Sequence, residues 1–595
     1  MTHRDDDLGD DLDDVVVVGG GPVGLALAGD LGWRGISCCL FEKTDGHIEQ
    51  PKMDGINVRT MEFCRRWGLT DEIKGFPFPP DHPNDMVYLT GFKGYELGRE
   101  VFTTPSGGAE ITDSAISPEV RARCPQTHFD PILRRFAGSH ASVSLNHQCE
   151  VIDVRQDADG VTVSVKRAGS PRPETVRARY LVACDGGASM VRDHLGIAMS
   201  GLGFLNYSTN VLLRCPDLMA RTHILPGYRF FFIDETGVWA TCSHINGRDI
   251  WRMQIFQNDE PRKLTEEEVA ARVEKALGAG TDFEILSILP WQRKELCADR
   301  FRDGRVFLAG DAGHITSPTG GFGMNIGIAD AVDLSWKLEA TIRGWGGPKL
   351  LDSYDLERRP VDQRAIREAS GNLRRTLSAG RHPGLLAATP EGARLRAAVG
   401  REYAATMLRE WYKQGIDLGY CYDASPICIA EDEPAAPIID LATADPHRTL
   451  LDGTTVTPAY LREWQRTIVH RATGTKLDLP WQKLPAEEVM ICAPTGQPGS
   501  RAPHVPLGDG RSTLDLFGRG FVLLDLGDHV GADRLKAAAT DLGVPLAVVP
   551  IDRPAVHAAY RRRLALVRPD GHVAWRADTC SPHEARTILA TVTGH

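Results

Sequence analysis

Val15-Val16-Val17-Val18-Gly19-Gly20-Gly21-Pro22-Val23-Gly24-Leu25-Ala26-Leu27-Ala28 joins a β-branched run to a glycine turn and then to an apolar helix start. Gly19, Gly21 and Gly24 suit a tight turn, close backbone approach to a phosphate and close helix–strand packing. The first turn of the helix adds unpaired N–H groups and the positive end of its dipole. Ile36 to Phe41 predicts the next strand, and Glu42 ends it at the spacing of an acid that hydrogen-bonds an adenosine ribose. A G-x-G-x-x-G run alone is common; strand, helix and acid together predict a dinucleotide site.

The rest of the 595-residue chain is too long for one hydrophobic core and predicts about three or four domains. A formal charge of −11 gives no basic footprint for nucleic acid or anionic lipid. Part of that charge lies in Asp5-Asp6-Asp7 and Asp10-Asp11, a solvated N-terminal arm (1–14). The thirteen cysteines are odd in number and scattered, with neither Cys-x-x-Cys nor paired Cys/His spacing, so no disulfide framework and no metal site is expected. With no signal-like N-terminus and no apolar run of membrane-spanning length, the expectation is a cytoplasmic enzyme.

Pattern changes divide the chain. After the polar loop Pro51 to Asn57 come helical segments at Thr60–Trp67 and Phe129–Phe136. Alternating strands follow at Cys149–Val154 and Val161–Lys166, with Asp157-Ala158-Asp159-Gly160 as the turn, and then a short buried strand at Tyr180–Cys184. Residues 201–290, with contributions from about 85–115, read as an inserted antiparallel-sheet domain. The chain returns through the strand Arg305–Ala309, ended by Gly310-Asp311, and a helix with Ile328, Ala331, Val332, Ser335, Leu338 and Ile342 on its core face. A first domain thus spans 15–200 and 291–432, the Pro- and Ala-rich stretch Glu433–Pro437 marks a boundary, and 446–595 read as a separate α/β domain.

Three motifs stand in order: Gly19 to Gly24, Cys184-Asp185-Gly186-Gly187-Ala188-Ser189-Met190-Val191-Arg192, and Gly304 to His314. Over nearly the whole chain they resemble the class A, single-component FAD-dependent aromatic hydroxylases of the para-hydroxybenzoate hydroxylase type. Met53 to Glu62 is similar to a loop of the phenol hydroxylase-like members, and the tail resembles their thioredoxin-like C-terminal domain. The resemblance implies an α/β protein: a Rossmann-like FAD-binding domain, an inserted antiparallel-sheet substrate domain and a C-terminal thioredoxin-like domain. Lacking Cys-x-x-Cys, that last domain is expected to serve packing or subunit contact. A homodimer is also implied.

For FAD, the resemblance implies contacts from Gly19, Gly21, Pro22, Val23, Gly24, Glu42 and Lys43 around the adenosine half. Arg59 and Gln126 match further nucleotide-contacting positions, and Asp185, Gly186 and Arg192 belong to a motif serving FAD and a transient NADPH or NADH. Gly310 and Asp311 match the turn whose acid meets the ribityl chain. Pro318, Gly321, Gly323, Met324 and Asn325 match the loop and helix start beside the isoalloxazine.

The implied reaction is hydroxylation of a phenol, ortho to its hydroxyl, by O2 through a flavin C4a-hydroperoxide after NAD(P)H reduces the flavin. A phenol's pKa near 10 calls for a group that takes or shares its proton. Asp54 is the candidate, expected to have its pKa raised by a closed pocket. Tyr228, Arg229, His244 and Trp291 are candidate pocket groups from the inserted sheet. An epoxidase or halogenase on the same fold stays open, although the Trp-x-Trp-x-Ile-Pro segment of halogenases is absent, and so does a non-catalytic flavin sensor.

Overall fold

The computed structural model describes residues 13–102, 116–257, 262–378, 380–431, 489–490, 492 and 494–595. The acidic arm up to residue 12, residues 103–115, the Glu433–Pro437 junction and the expected start of the tail at 446 lie outside the described residues.

The quoted stretch forms the strand Asp13–Val18, the turn and the helix Pro22–Arg34. Proline at the first helical position fits because its missing N–H is one the helix would leave unpaired. Gly35 ends the helix in the left-handed region (φ 77°). The strand lies at the centre of a sheet, flanked in parallel by Cys38–Glu42 and Glu174–Ala183. Val143–His147 and Val306–Leu308 extend the parallel order outward. Val15 to Val18 are buried, as suits a parallel strand covered on both faces.

Two strands differ from their sequence reading. The second begins at Cys38 rather than Ile36 and includes Glu42. Tyr180 to Ala183 is only the end of a ten-residue strand, whose first half, from Glu174 to Ala178, pairs antiparallel with Val161–Arg167. That half alternates buried and open residues, so it lacks the continuous apolar run that marks the buried end.

A second sheet of eight strands has the order His314–Ile315, Glu284–Ala298, Met199–Arg214, Ile250–Gln257, Gly237–His244, Arg229–Asp234, Met86–Leu89, Glu96–Glu100. Its pairings are antiparallel except that between Arg229–Asp234 and Met86–Leu89. The strand Glu284–Ala298 runs past residue 290, so sheet and returning chain are continuous. One face packs Phe230, Phe232, Trp251 and Leu213 against the helix Glu266–Leu277. The other turns Asn210, Thr241, Ser243, Arg252 and Gln254 toward the nucleotide-binding sheet.

The tail forms a four-stranded sheet, Leu546–Pro550, Phe521–Asp525, Leu564–Val567 and Val573–Ala577, with helices His529–Leu542, Pro554–Tyr560 and Pro582–Val592. Only its first pair is parallel. Buried ion pairs fasten it to the first unit. Arg568 contacts Glu357 at 2.6 Å and Asp333 at 3.0 Å, both on long helices of that unit (Gly323–Ile342 and Asp352–Leu377).

Candidate active site

A continuous cavity of about 980 Å³ runs from the Gly19 turn to the inner face of the second sheet. At its first end, four strands stop level with one another: Gly19 N donates to Phe41 O (2.8 Å), Cys184 N to Val18 O (2.7 Å) and Ala309 N to Ala183 O (2.9 Å). Gly19 takes φ 106°, and a Cβ there would collide with the Cys184 carbonyl, so only glycine fits. A Cβ on Gly21 would meet nothing within 4 Å, leaving its backbone open to a bound group. Pro22, Val23, Glu42 and Lys43 also line this end. Glu42 accepts from Gly20 N (2.7 Å) and from the backbone and hydroxyl of Thr44.

Farther along, Gln126, Asp185, Gly186, Asp311, Pro318, Gly321, Gly323, Met324 and Asn325 line the walls. Asp185 leaves one carboxylate oxygen buried without a partner. Burial pushes the Asp311 carboxyl up, against the pull of His314 and Lys52. The helix Gly323–Ile342 starts at the wall, so its positive end faces the cavity. Asn325 couples two walls: its carbonyl accepts from Asn57 N (3.0 Å) and Thr60 Oγ1 (2.8 Å), and its amide donates to Gly321 O (2.9 Å). Open glycine backbones, acids suited to sugar hydroxyls and two helix N-termini fit a dinucleotide ending in a flat ring.

At the far end the Asp54 loop lies against Ala122 to Gln126, with Gly55 paired to Arg123 and Cys124 N donating to Asp54 O (3.0 Å). The Tyr228 hydroxyl donates to Asp54 Oδ2. Arg252 Nη2 lies 3.4 Å from Asp54 Oδ1, while its Nη1 donates to Pro51 O (3.2 Å). The Arg123 guanidinium sits 3.3 Å from the Tyr228 ring centre. Burial raises the Asp54 carboxyl, but Arg252, Arg123 and the Tyr228 hydroxyl together outweigh it and hold the group below the usual carboxylate range. The expected upward shift is therefore corrected: the pocket is closed, yet it is lined with cations. Burial in turn raises the Tyr228 phenol, which stays protonated.

Arg229 also lines the cavity and pairs with buried Glu410 at 3.2 Å; Gly320 N donates to the same Glu410 oxygen (3.3 Å). Trp291 contributes to the roof. Sequence reading missed Arg123, Arg252 and Glu410, which no motif marks and which reach the site from separate segments. Arg123, three residues before Gln126, was the only one near a singled-out position.

Five expected site residues stand outside the cavity walls. Gly24 packs under the Gly19 carbonyl and Gly310 (φ 60°) against Val23, so both shape the turns from behind. Arg192 donates to Ala312 O (3.2 Å) and Gly187 O (3.1 Å), bracing the two loops against each other. Arg59 is buried, turned toward the tail: it pairs with Glu62 (2.8 Å) and donates to Asp570 O (2.8 Å). His244 stacks on Trp251 (3.7 Å, 8°) and hydrogen-bonds His82 (2.8 Å); burial and His82 push its imidazole down to about 3. The described residues hold one buried His/Asp/Asp group, His314, Asp330 and Asp362. Arg358 already bridges its aspartates at 2.8 and 2.9 Å, so the cluster contains its own cation.

Fold and cavity define a flavoprotein, and comparison with known proteins agrees. A family described as "FAD binding domain" matches residues 13–369, and one described as "Aromatic-ring hydroxylase, C-terminal" matches 495–595. The chain belongs to the FAD-dependent aromatic hydroxylases of the class A type, and is an enzyme of that monooxygenase class. A 4-methyl-5-nitrocatechol 5-monooxygenase from Burkholderia sp is 31% identical, over 95% of this chain and 94% of that protein. RebC with bound 7-carboxy-K252c is 35% identical, with a TM-score of 0.82 over 98% of this chain and 99% of that one. Aklavinone-11 hydroxylase with FAD and aklavinone is 26% identical, with a TM-score of 0.74 over 99% and 100% of the two chains.

Proposed function

We propose that the enzyme hydroxylates a phenolic ring ortho to an existing hydroxyl, taking electrons from NADPH or NADH and oxygen from O2. The observation that carries this reading is the group Asp54, Tyr228, Arg252 and Arg123 at the cavity end remote from the nucleotide turn. Bound FAD supplies the redox chemistry and oxygen activation. Gly19, Gly21, Glu42 and Lys43 would hold its adenosine half, Asp185 and Asp311 its middle, and the 318–325 segment its ring.

With Asp54 held ionised at low pKa, complete proton transfer from a phenol to it is unfavourable. The work shifts to Arg252 and Arg123, whose charges favour the phenolate formed when the phenol releases its proton to solvent water, and so enrich the ring in electrons. Asp54 orients Tyr228 and accepts a hydrogen bond. The polar roof of Asn210, Thr241, Ser243 and Gln254 suits an aromatic bearing further oxygen substituents, and relatives named for a nitrocatechol and for aklavinone support that class. Family likeness supports a homodimer; among the described residues no helix is long and apolar enough to cross a membrane.

The test is a panel of phenols, from one ring to several, supplied with NADH or NADPH and isotopically labelled O2. The expected result is reductant consumption matched by a product carrying one labelled oxygen beside the original hydroxyl. Reductant consumption with no oxygenated product for any phenol would overturn the reading.

A further inference from the structure

Beyond the cavity wall the second sheet carries a polar group that the hydroxylation reading leaves unused. Strands Met199–Arg214 and Glu284–Ala298 pair so that Asn210 stands opposite Leu289, Ser208 opposite Trp291 and Asn206 opposite Arg293. Side chains alternate along a strand, so these six share one face. Asn210, Leu289 and Trp291 line the cavity; Arg293, Asn206 and Ser208 continue the same face inward. Arg293 is 0% exposed, Asn206 2% and Ser208 1%. None of the three guanidinium nitrogens of Arg293 has a hydrogen-bond partner, and neither do the Asn206 amide oxygen and nitrogen or Ser208 Oγ.

A buried guanidinium without a counter-charge costs several kcal/mol. The Phe256 ring, 4.7 Å from the Arg293 guanidinium carbon, offsets only part of that. Burial pushes Arg293 down to about 9, Arg229 pushes it further, and Glu410 pulls it back. Glu410 acts on both cations, and its Oε1 already serves Arg229 and Gly320 N. Arg293 thus has no ion-pair partner of its own and stands beside several free donors.

We infer that Arg293, Asn206 and Ser208 form an inner nest for a compact monovalent anion, supplied either as a free halide or as the carboxylate of a bound aromatic ligand reaching past Trp291. The site stands whichever phenol is hydroxylated, because it is read from the sheet face and not from the Asp54 group.

The experiment uses FAD-loaded full-length enzyme, melted in sodium bromide and in sodium gluconate of equal ionic strength. Wild type should gain a saturable rise in melting temperature in bromide over gluconate. Arg293→Met should lose that rise and, in gluconate, melt no lower than wild type, since an uncompensated buried charge has gone. Asn206→Ala keeps the charge and should weaken half-saturation by bromide about tenfold, the worth of a hydrogen bond to an ion. Competition separates the sources. Bromide raising KM for a carboxylated aromatic but not for its uncharged parent identifies the ligand carboxylate; bromide stabilisation without a KM effect identifies the free ion. The inference is overturned if bromide and gluconate act alike on wild type, if Arg293→Met keeps the bromide-specific rise, or if Arg293→Met melts below wild type in gluconate.

Discussion

Replacing Arg252 by Met tests whether the substrate phenol is ionised by neighbouring cations. Arg252 approaches the Asp54 carboxylate to 3.4 Å, and a phenol oxygen bound at that end of the cavity would meet the same guanidinium. At about 4 Å and an effective dielectric constant of about 20, two unit charges interact by about 4 kcal/mol. That corresponds to about 3 pKa units, the upper end of the usual effect of one adjacent cation. Asp54 stands beside Arg252 and cancels part of this, so the expected shift is about 1–2 units. Removing Arg252 should therefore move the acid limb of the kcat profile, which reports groups in the enzyme–substrate complex, up by about 1–2 pH units. The absorbance titration of the phenol bound to oxidised enzyme should move with it. A nitro-substituted phenol, already ionised at neutral pH, should be nearly insensitive to the substitution. An acid limb at the same pH in both proteins, or an equal loss with the nitrophenol, would refute the reasoning.

Asp54→Asn should retain FAD, because Asp54 lies at the end of the cavity remote from the nucleotide turn, yet lose about tenfold in hydroxylation, the worth of the hydrogen bond that orients Tyr228; flavin absorbance and product yield check the two halves. Since the Asp54 pKa is lowered in the fold, its ionisation supports stability above about pH 4 and that support fades only as pH falls further, so no activity limb between pH 5 and 8 should disappear in this variant. Gly19→Ala places a Cβ against the Cys184 carbonyl at φ 106° and should give protein lacking FAD, seen as loss of flavin absorbance after purification. Arg568→Met leaves Glu357 and Asp333 with less positive charge in the buried junction and should cost about 3–5 kcal/mol in denaturant titration. His314, raised to about 9 by Asp362 and Asp330 against its burial, contributes stability that is full below about pH 6.5 and lost as pH rises through 9. Melting temperature against pH should show that loss in wild type and less of it in His314→Gln.

Much of the local structure was legible. The strand–turn–helix around Gly19, the Asp157–Gly160 turn and the helix from Gly323 all follow from patterns contained in short windows. Strand ends were less legible: pairing with Val161–Arg167 extends the strand back to Glu174, and sequence periodicity does not report a partner. Arg59 stood in a motif and reads as a nucleotide contact, but its side chain is claimed by Glu62 and Asp570 from across the domain junction. His244 reads as a pocket group and is instead stacked flat on Trp251.

The sequence by itself determined that a nucleotide phosphate can be held at Gly19 to Gly24, because a turn that excludes Cβ atoms and opens a helix is a local property of the backbone. It also carried the three ordered motifs that mark the FAD-dependent hydroxylases. Only the tertiary structure decided the charge state of Asp54. A closed pocket alone would have raised its carboxyl, but Arg252 comes to it from 198 residues away and Arg123 from another segment, and their charges outweigh the loss of water. Electrostatic potential sums over space rather than along the chain, so the direction of the Asp54 shift follows from which cations the fold gathered around it.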